Sequence, residues 1–318
     1  MTPSLPPRRP SPVERVRGEP PTDPSWRADA LAGSRHSRLL DELRLPVGDA
    51  DPERAAALCA EVARLALGDL APALILLPPD LRRRAQTLAA YTLTLFDFAA
   101  QSGLEGERLS QINRWEFELE AALDGEPATQ PVFVSLQREE ARRPWDREAL
   151  DRVVAAGRRR VLRPRPRTAA ELAAESEAVG AALLTALAGP RAGAEGGRLG
   201  GVLLRVAALR DLGEAARRGR AGLPLEELPP AEAGEPLPPG RVGEAVAAES
   251  ERLRRLLDGG FDLATLPAGL GPAARYSVRA ADALLRRIAA LGAEVTRRPP
   301  VLGLAPRLLL LVRARAGL

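Results

Sequence analysis

The sequence contains no lysine, because all 46 of its positively charged residues are arginine. A chain without lysine has no Walker A phosphate loop and forms no Schiff base. Cys59 and His36 are the single cysteine and the single histidine. These counts exclude an internal disulfide and argue against a cysteine zinc site, a histidine metal cluster or a Ser–His–Asp triad. Any catalysis would therefore rest on Asp, Glu, Arg or Tyr side chains, with or without a metal.

Aromatic residues make up only 3% of the 318 residues, and β-branched residues are also scarce. Alanine, leucine and arginine are abundant and favour helices, and no stretch alternates like a strand. We therefore predict an all-α fold. No run reaches the roughly 18 apolar residues of a membrane span, and the N-terminus lacks the apolar core of a signal peptide. We expect a cytoplasmic location. The net charge of +4 is small, and we predict no nucleic-acid partner.

The first 45 residues are rich in proline, arginine and serine, which predicts a disordered tail over 1–45. The remainder, 46–318, is interpreted as one helical domain. Asp51 before Pro52 marks a helix start. Thr168 with Glu171 forms the pattern of a capping box. We also expect one long helix to end at Gly219, and two or three helices after residue 241.

Asp97 is the only charged residue between positions 85 and 104, within a stretch that is apolar nearly all round. Such a helix is buried on several sides, and a buried carboxylate needs a partner. The partner is either an arginine in a structural pair or a metal. Asp211 has apolar neighbours at helical spacing, which predicts that it also faces inward. Glu214 matches an exposed helical surface, where it pairs with nearby arginines.

Three segments in this order resemble the squalene/phytoene synthase family of head-to-head prenyl transferases. They are LLPPDLRRRAQTLAAYTLTLFD, GRLGGVLLRVAALRDLGEAARRGRAGLPLEEL and AARYSVRAADALLRRIAALGAEV. The resemblance implies a single large helical bundle of the isoprenoid synthase type around a central apolar cavity. It also implies Mg²⁺, held by paired carboxylates on two helices, which binds diphosphate and stabilises the leaving group. We expect Leu93, Leu203 and Val206 to line the cavity.

The sequence departs from the family at both acidic motifs. The first, second and fifth positions of the first motif fall on Phe96, Asp97 and Ala100, so one acid of three remains. The first position of the second motif is Asp211, and its fifth position is Ala215. By resemblance, Asp97 and Asp211 are the remnants of the catalytic and metal-binding acids. Glu214 is a weak substitute ligand.

Two functional readings follow from this resemblance. The favoured one is a divergent member with weakened or lost prenyl transferase activity that still binds a prenyl lipid or a protein partner. The alternative is an active prenyl transferase with a reduced Mg²⁺ site. In the alternative reading, prenyl diphosphate is bound by the arginines of the second motif, which are Arg210, Arg217, Arg218 and Arg220. Forked guanidinium groups suit phosphate oxygens.

The end of the chain, RLLLLVRAR, combines leucines with arginines. This pattern predicts weak peripheral contact with a membrane. A final helix packed into the core is the favoured alternative.

Overall fold

The computed structural model describes residues 39–44, 51–101, 103–217, 222–228 and 238–317. All regular structure in these ranges is helical, which confirms the all-α prediction. In chain order the α-helices are α1 (39–44), α2 (Pro52–Leu67), α3 (Pro79–Ala100), α4 (Glu105–Leu123), α5 (Pro131–Arg142), α6 (Arg147–Leu162), α7 (Ala169–Ala188), α8 (Gly193–Arg210), α9 (Leu212–Arg217), α10 (Pro239–Asp258), α11 (Gly271–Leu291) and α12 (Leu304–Arg315). Shorter 3₁₀ segments cover Gly68–Leu76, Pro190–Ala192 and Gly292–Thr296.

The predicted helix starts are confirmed. The Asp51 side chain accepts a hydrogen bond from the Glu53 N–H at 3.0 Å, with Pro52 as the first helical residue. Thr168 accepts from the Glu171 N–H at 3.2 Å, which caps α7. The return bond of a capping box is shifted by one residue, because the Glu171 carboxylate accepts from the N–H of residue 167 at 2.7 Å.

The predicted long helix before Gly219 is broken. A turn at Asp211 separates α8 from α9, and Gly219 itself lies outside the described residues. Helices α5 and α6 were not predicted from the sequence, although both contribute buried residues to the core.

The boundary of the N-terminal tail was placed too late. Residues 39–44, assigned to the tail, form α1, and Leu39, Leu40 and Leu43 are buried in the core. Burial of three leucines outweighs the disorder signal of the flanking proline and arginine. Residues 1–38 lie outside the described part of the chain, so their disorder stays a prediction.

Two apolar cores fill the bundle. The first core contains side chains from all seven helices α1 through α7. It includes an aromatic group of Tyr91, Phe98, Trp115 and Phe133. The second joins α8, α10, α11 and α12. Leu203 on α8 packs against both cores, so α8 lies at their junction.

Helices α7 and α8 approach each other so closely that only glycine fits between them. A Cβ added at Gly180 would lie 2.5 Å from the backbone nitrogen of Gly201. Real Cβ atoms do not approach backbone atoms this closely, so the position requires glycine. This contact fixes the depth at which α8 enters the bundle.

A buried polar cluster anchors the C-terminal helices. The Tyr276 hydroxyl on α11 donates to the Asp69 carbonyl at 2.8 Å. The Asp69 carboxylate accepts from the Leu302 N–H at 2.9 Å and pairs with Arg307 at 3.1 Å. Burial raises the pKa of Tyr276 to about 12, so the hydroxyl remains a donor at neutral pH. The cluster thereby fixes α11 and α12 to the 3₁₀ segment at Gly68–Leu76.

Within the described residues, no single helix is long and apolar enough to cross a membrane. Only α7 and α8 taken together reach that length and composition, with a bend of 118° between them.

The glycine contact gives a stability prediction. Gly180→Ala should lower the free energy of unfolding by about 1–3 kcal/mol, because its methyl group forces α7 and α8 apart. Gly106→Ala in α4 is the matched control, since its Cβ would meet nothing within 4 Å. The control should be neutral or slightly stabilising. Denaturant unfolding followed by circular dichroism measures both variants. Equal effects would refute the close approach.

Candidate functional site

A cavity of about 220 Å³ lies between α3, α6, α7 and α8. Its walls are mostly apolar, with Phe96 and Ala100 from α3 facing Leu204 and Ala208 from α8. Ligand pockets commonly measure about 300–1,000 Å³. The observed volume of about 220 Å³ lies below this range.

The cavity face of α3 consists of Phe96, Ala99 and Ala100. At about 100° per residue, Asp97 lies roughly 110° from the centre of this face. Phe96 and Ala100 occupy the first and fifth positions of the first acidic motif. The acid that this motif retains is therefore the one that points away from the cavity.

Asp97 is held by an arginine from α1. Its carboxylate accepts a hydrogen bond from Arg44 at 2.5 Å and from the Gln101 amide at 3.3 Å. The Arg44 guanidinium also lies 4.4 Å from the centre of the Phe98 ring. Both partners of the ion pair are about four-fifths buried. The partner of Asp97 is thus an arginine. This confirms the prediction of a structural Asp–Arg pair.

The inward orientation predicted for Asp211 is wrong. Its side chain is 54% exposed, and it does not line the cavity. The lining residues of α8 and the start of α9 are Leu204, Arg205, Ala208, Leu209 and Leu212. On a helical projection Asp211 lies roughly 90° from the centre of that face.

The Arg210 guanidinium, predicted to bind diphosphate, is already occupied by contacts within the protein. Its guanidinium donates to the carbonyls of Ala66 and Leu67, both at 2.7 Å. It also forms a two-pronged pair with the Asp211 carboxylate at 2.6–2.7 Å. Arg210 therefore ties α8 to the end of α2 and holds Asp211 at the surface.

None of the remaining predicted site residues is seen to line the cavity in the described part of the chain. Glu214 is exposed on α9 and is absent from the cavity lining. The side chain of Arg217, and all of Arg218 and Arg220, lie outside the described residues. Their predicted role in diphosphate binding stays a prediction.

Three arginines that the sequence analysis did not single out lie at the cavity. Arg159, Arg160 and Arg163 line it from the C-terminal end of α6 and the residue beyond. Arg159 and Arg163 are exposed, and their side chains make no ion pair or hydrogen bond with the described residues. Their signal in the sequence is the arginine run at 158–160, which is inconspicuous in a chain with 46 arginines.

Arg160 connects this basic edge to the apolar wall. Its guanidinium lies 3.7 Å from the centre of the Phe96 ring. Desolvation lowers the pKa of Arg160 to about 10, while Glu175 opposes the shift. Because the residue as a whole is exposed, its desolvation is incomplete. The guanidinium stays charged at neutral pH. It is placed to meet an anion at the mouth of the cavity.

A buried ion pair completes the wall. Arg205 on α8 donates to Glu249 on α10 at 2.6 Å, with the two side chains only 5% and 1% exposed. The second Glu249 oxygen accepts from Arg252 at 2.9 Å. Glu249 balances Arg205, and Glu175, which also lines the cavity, attracts Arg160, so the unpaired positive charge at the cavity belongs to Arg159 and Arg163.

The leucines and valine expected to line the cavity pack elsewhere. Leu93 and Leu203 contact the first core, and Val206 is buried in the second. On α8, Leu203 and Val206 are each one position from a lining residue, and on α3, Leu93 is three positions before Phe96, because the rotation of each helix depends on its tertiary contacts.

The squalene/phytoene synthase family model matches residues 69–305. The chain belongs to this family. A crystal structure of a dehydrosqualene synthase in complex with ligand aligns with a TM-score of 0.67 and 14% identity, covering 84% of this chain and 99% of that one. Squalene synthase HpnC from Alicyclobacillus acidocaldarius aligns with a TM-score of 0.57 and 21% identity, covering 80% and 98%. At these identities the structural likeness establishes the fold.

A short match points elsewhere and carries no argument about function. An acetylglutamate kinase from Rubrobacter xylanophilus is 48% identical over 60 residues, which is 19% of this chain. The chain spans about a quarter of that relative's length, since the match covers 24% of it.

The side chains of the squalene/phytoene synthase-like cavity do not fit the family's Mg²⁺ cluster. Magnesium requires several oxygen ligands in near-octahedral geometry. The described residues contain no group of three or more His, Cys, Asp or Glu side chains suited to a metal. Asp97 and Asp211 each already bind an arginine, and Phe96 and Ala100 supply no oxygen.

The buried pair at the cavity wall gives a second stability prediction. Glu249→Ala should cost about 3–5 kcal/mol, because it leaves Arg205 buried without a countercharge. Glu251→Ala on the same helix is the control, since Glu251 is 52% exposed and pairs with Arg255 at 3.0 Å. The control should change stability by no more than about 0.5 kcal/mol. A small effect at Glu249 would show that water reaches Arg205.

Proposed function

We propose that this squalene/phytoene synthase-like protein binds a prenyl lipid with an anionic head group and has lost most or all metal-dependent prenyl transfer. One observation carries the proposal. The motif positions that face the cavity from α3, Phe96 and Ala100, are apolar, and the retained acid Asp97 points away to Arg44. The cavity can solvate a hydrocarbon chain, but it cannot assemble a magnesium cluster.

The head group would meet the arginines of α6. Arg159, Arg160 and Arg163 border the apolar cavity, and their charge suits a phosphate or diphosphate. A guanidinium supplies hydrogen bonds and charge without a metal. It binds the ground state of a diphosphate but replaces only part of what Mg²⁺ gives a departing one.

An active prenyl transferase with a reduced metal site is the competing function. Asp211, at the turn between α8 and α9, and Glu214 on α9 are both exposed, so they are the acids on which that activity would depend. Binding of a protein partner is compatible with either function. The described residues at the cavity show no separate surface for such a partner.

Binding should depend on the α6 arginines. With farnesyl diphosphate as the probe, Arg160→Gln should weaken binding by about 10–100-fold, because a charge-assisted hydrogen bond is lost. Arg152→Gln on the same helix is the matched control, since Arg152 pairs with Glu148 at 2.6 Å outside the cavity. Calorimetric titration measures both. Equal affinities for the two variants would place the head group elsewhere.

Turnover should be absent or very weak. Farnesyl or geranylgeranyl diphosphate with Mg²⁺ should yield no appreciable squalene- or phytoene-type product, because ionisation needs a neutralised leaving group. Product extraction after incubation tests this, with Asp211→Ala as the comparison. Robust product that disappears in Asp211→Ala would establish the active alternative. Product unchanged in that variant would indicate a contaminating synthase or another site.

A further inference from the structure

The outer face of α12 carries a row of exposed aliphatic side chains. Leu304 is 70% exposed, Leu308 53%, Leu309 50% and Val312 67%. With Val301 at 53%, residues 301–312 hold five of the nine large apolar side chains exposed in the described part of the chain. Single exposed leucines are ordinary, whereas a contiguous group marks an interaction surface.

This face is held outward by contacts on the opposite side. Ala314 is buried, and Leu310 and Leu311 pack against the second core. The Arg275 side chain donates to the Ala314 carbonyl at 3.2 Å. The final helix therefore packs into the core on one side, as the favoured alternative expected, and leaves its outer face exposed.

Arginines border the row on both sides. On a projection of about 100° per residue, Arg315 and Arg313 lie at opposite edges of the exposed arc. Both are exposed, and neither side chain has a hydrogen bond or ion pair with the described residues. The third arginine of the helix, Arg307, is already neutralised by Asp69. No acidic residue occurs in α12.

We propose that the outer face of α12 docks onto the surface of an anionic lipid bilayer. The four aliphatic side chains would enter the boundary between head groups and acyl chains, with the helix lying in the plane of the surface. Arg313 and Arg315 would reach lipid phosphates while their stems cover apolar surface. A partner with negative charge on both sides of an apolar strip matches this pattern.

Charge disfavours a second copy of the chain as the occupant. A symmetric pairing of two α12 faces would bury the aliphatic row, but it would offer Arg313 and Arg315 no carboxylate from the facing helix, since α12 contains no acid. The proposal is independent of the cavity, since no α12 residue lines it.

Vesicle flotation of the full chain tests the proposal. The wild type should float with vesicles that contain phosphatidylglycerol and much less with pure phosphatidylcholine. Leu308→Gln with Val312→Gln should lower binding by about tenfold or more, because apolar burial is lost. Arg313→Gln with Arg315→Gln should lower it by about fivefold per arginine on anionic vesicles, with little change on neutral ones.

Leu104→Gln is the matched control, because Leu104 is 72% exposed but lies far along the chain before α4. It should leave flotation unchanged, and all variants should keep the wild-type helical spectrum and farnesyl diphosphate affinity. Equal binding to neutral and anionic vesicles, or binding insensitive to both α12 double variants, would overturn the proposal. A dimer that becomes monomeric in the Leu308/Val312 variant would instead assign the face to a second copy.

Discussion

The buried ion pair between Arg205 and Glu249 determines which face of α8 lines the cavity. It fixes α8 to α10 at 2.6 Å, while the glycine contact at Gly180 fixes the same helix against α7. With α8 held on both sides, Ala208 faces the cavity and Asp211 lies beyond its edge. A rotation of α8 that brought Asp211 inward would separate Arg205 from Glu249. Breaking a buried ion pair is strongly destabilising, so this rotation is unfavourable.

The acids that remain in the two motifs make different structural contacts. On α3, Asp97 joins α1 to the bundle through Arg44. On α8, Asp211 orients Arg210, which binds two carbonyls at the end of α2. A carboxylate already neutralised by a guanidinium is a poor magnesium ligand, because the metal must displace a charge-assisted bond. In the proposed function, the positive charge that a metal would bring to the cavity comes instead from arginines on α6.

The local features of this fold were readable from the sequence, and the long-range ones were not. Helix starts at Asp51 and Thr168 depend on neighbouring residues, and they were predicted correctly. The need for a partner at Asp97 also followed from its apolar surroundings. Its identity as Arg44, 53 positions away, did not. The projection of Asp211 placed it near the inward face, but a turn and the adjacent Arg210 hold it at the surface. The sequence did not single out the cavity arginines, because nothing local distinguishes them from the other arginines among the 46 in the chain.

Comparing the affinity for farnesyl diphosphate in EDTA and in Mg²⁺ tests the central claim most directly. If arginines alone hold the head group, the affinity in EDTA should match or exceed that in Mg²⁺, because the metal competes with guanidinium for the same oxygens. An affinity that appears only with Mg²⁺, and is lost in Asp211→Ala, would contradict the account. It would show that the acids of the two motifs assemble a metal site when substrate binds.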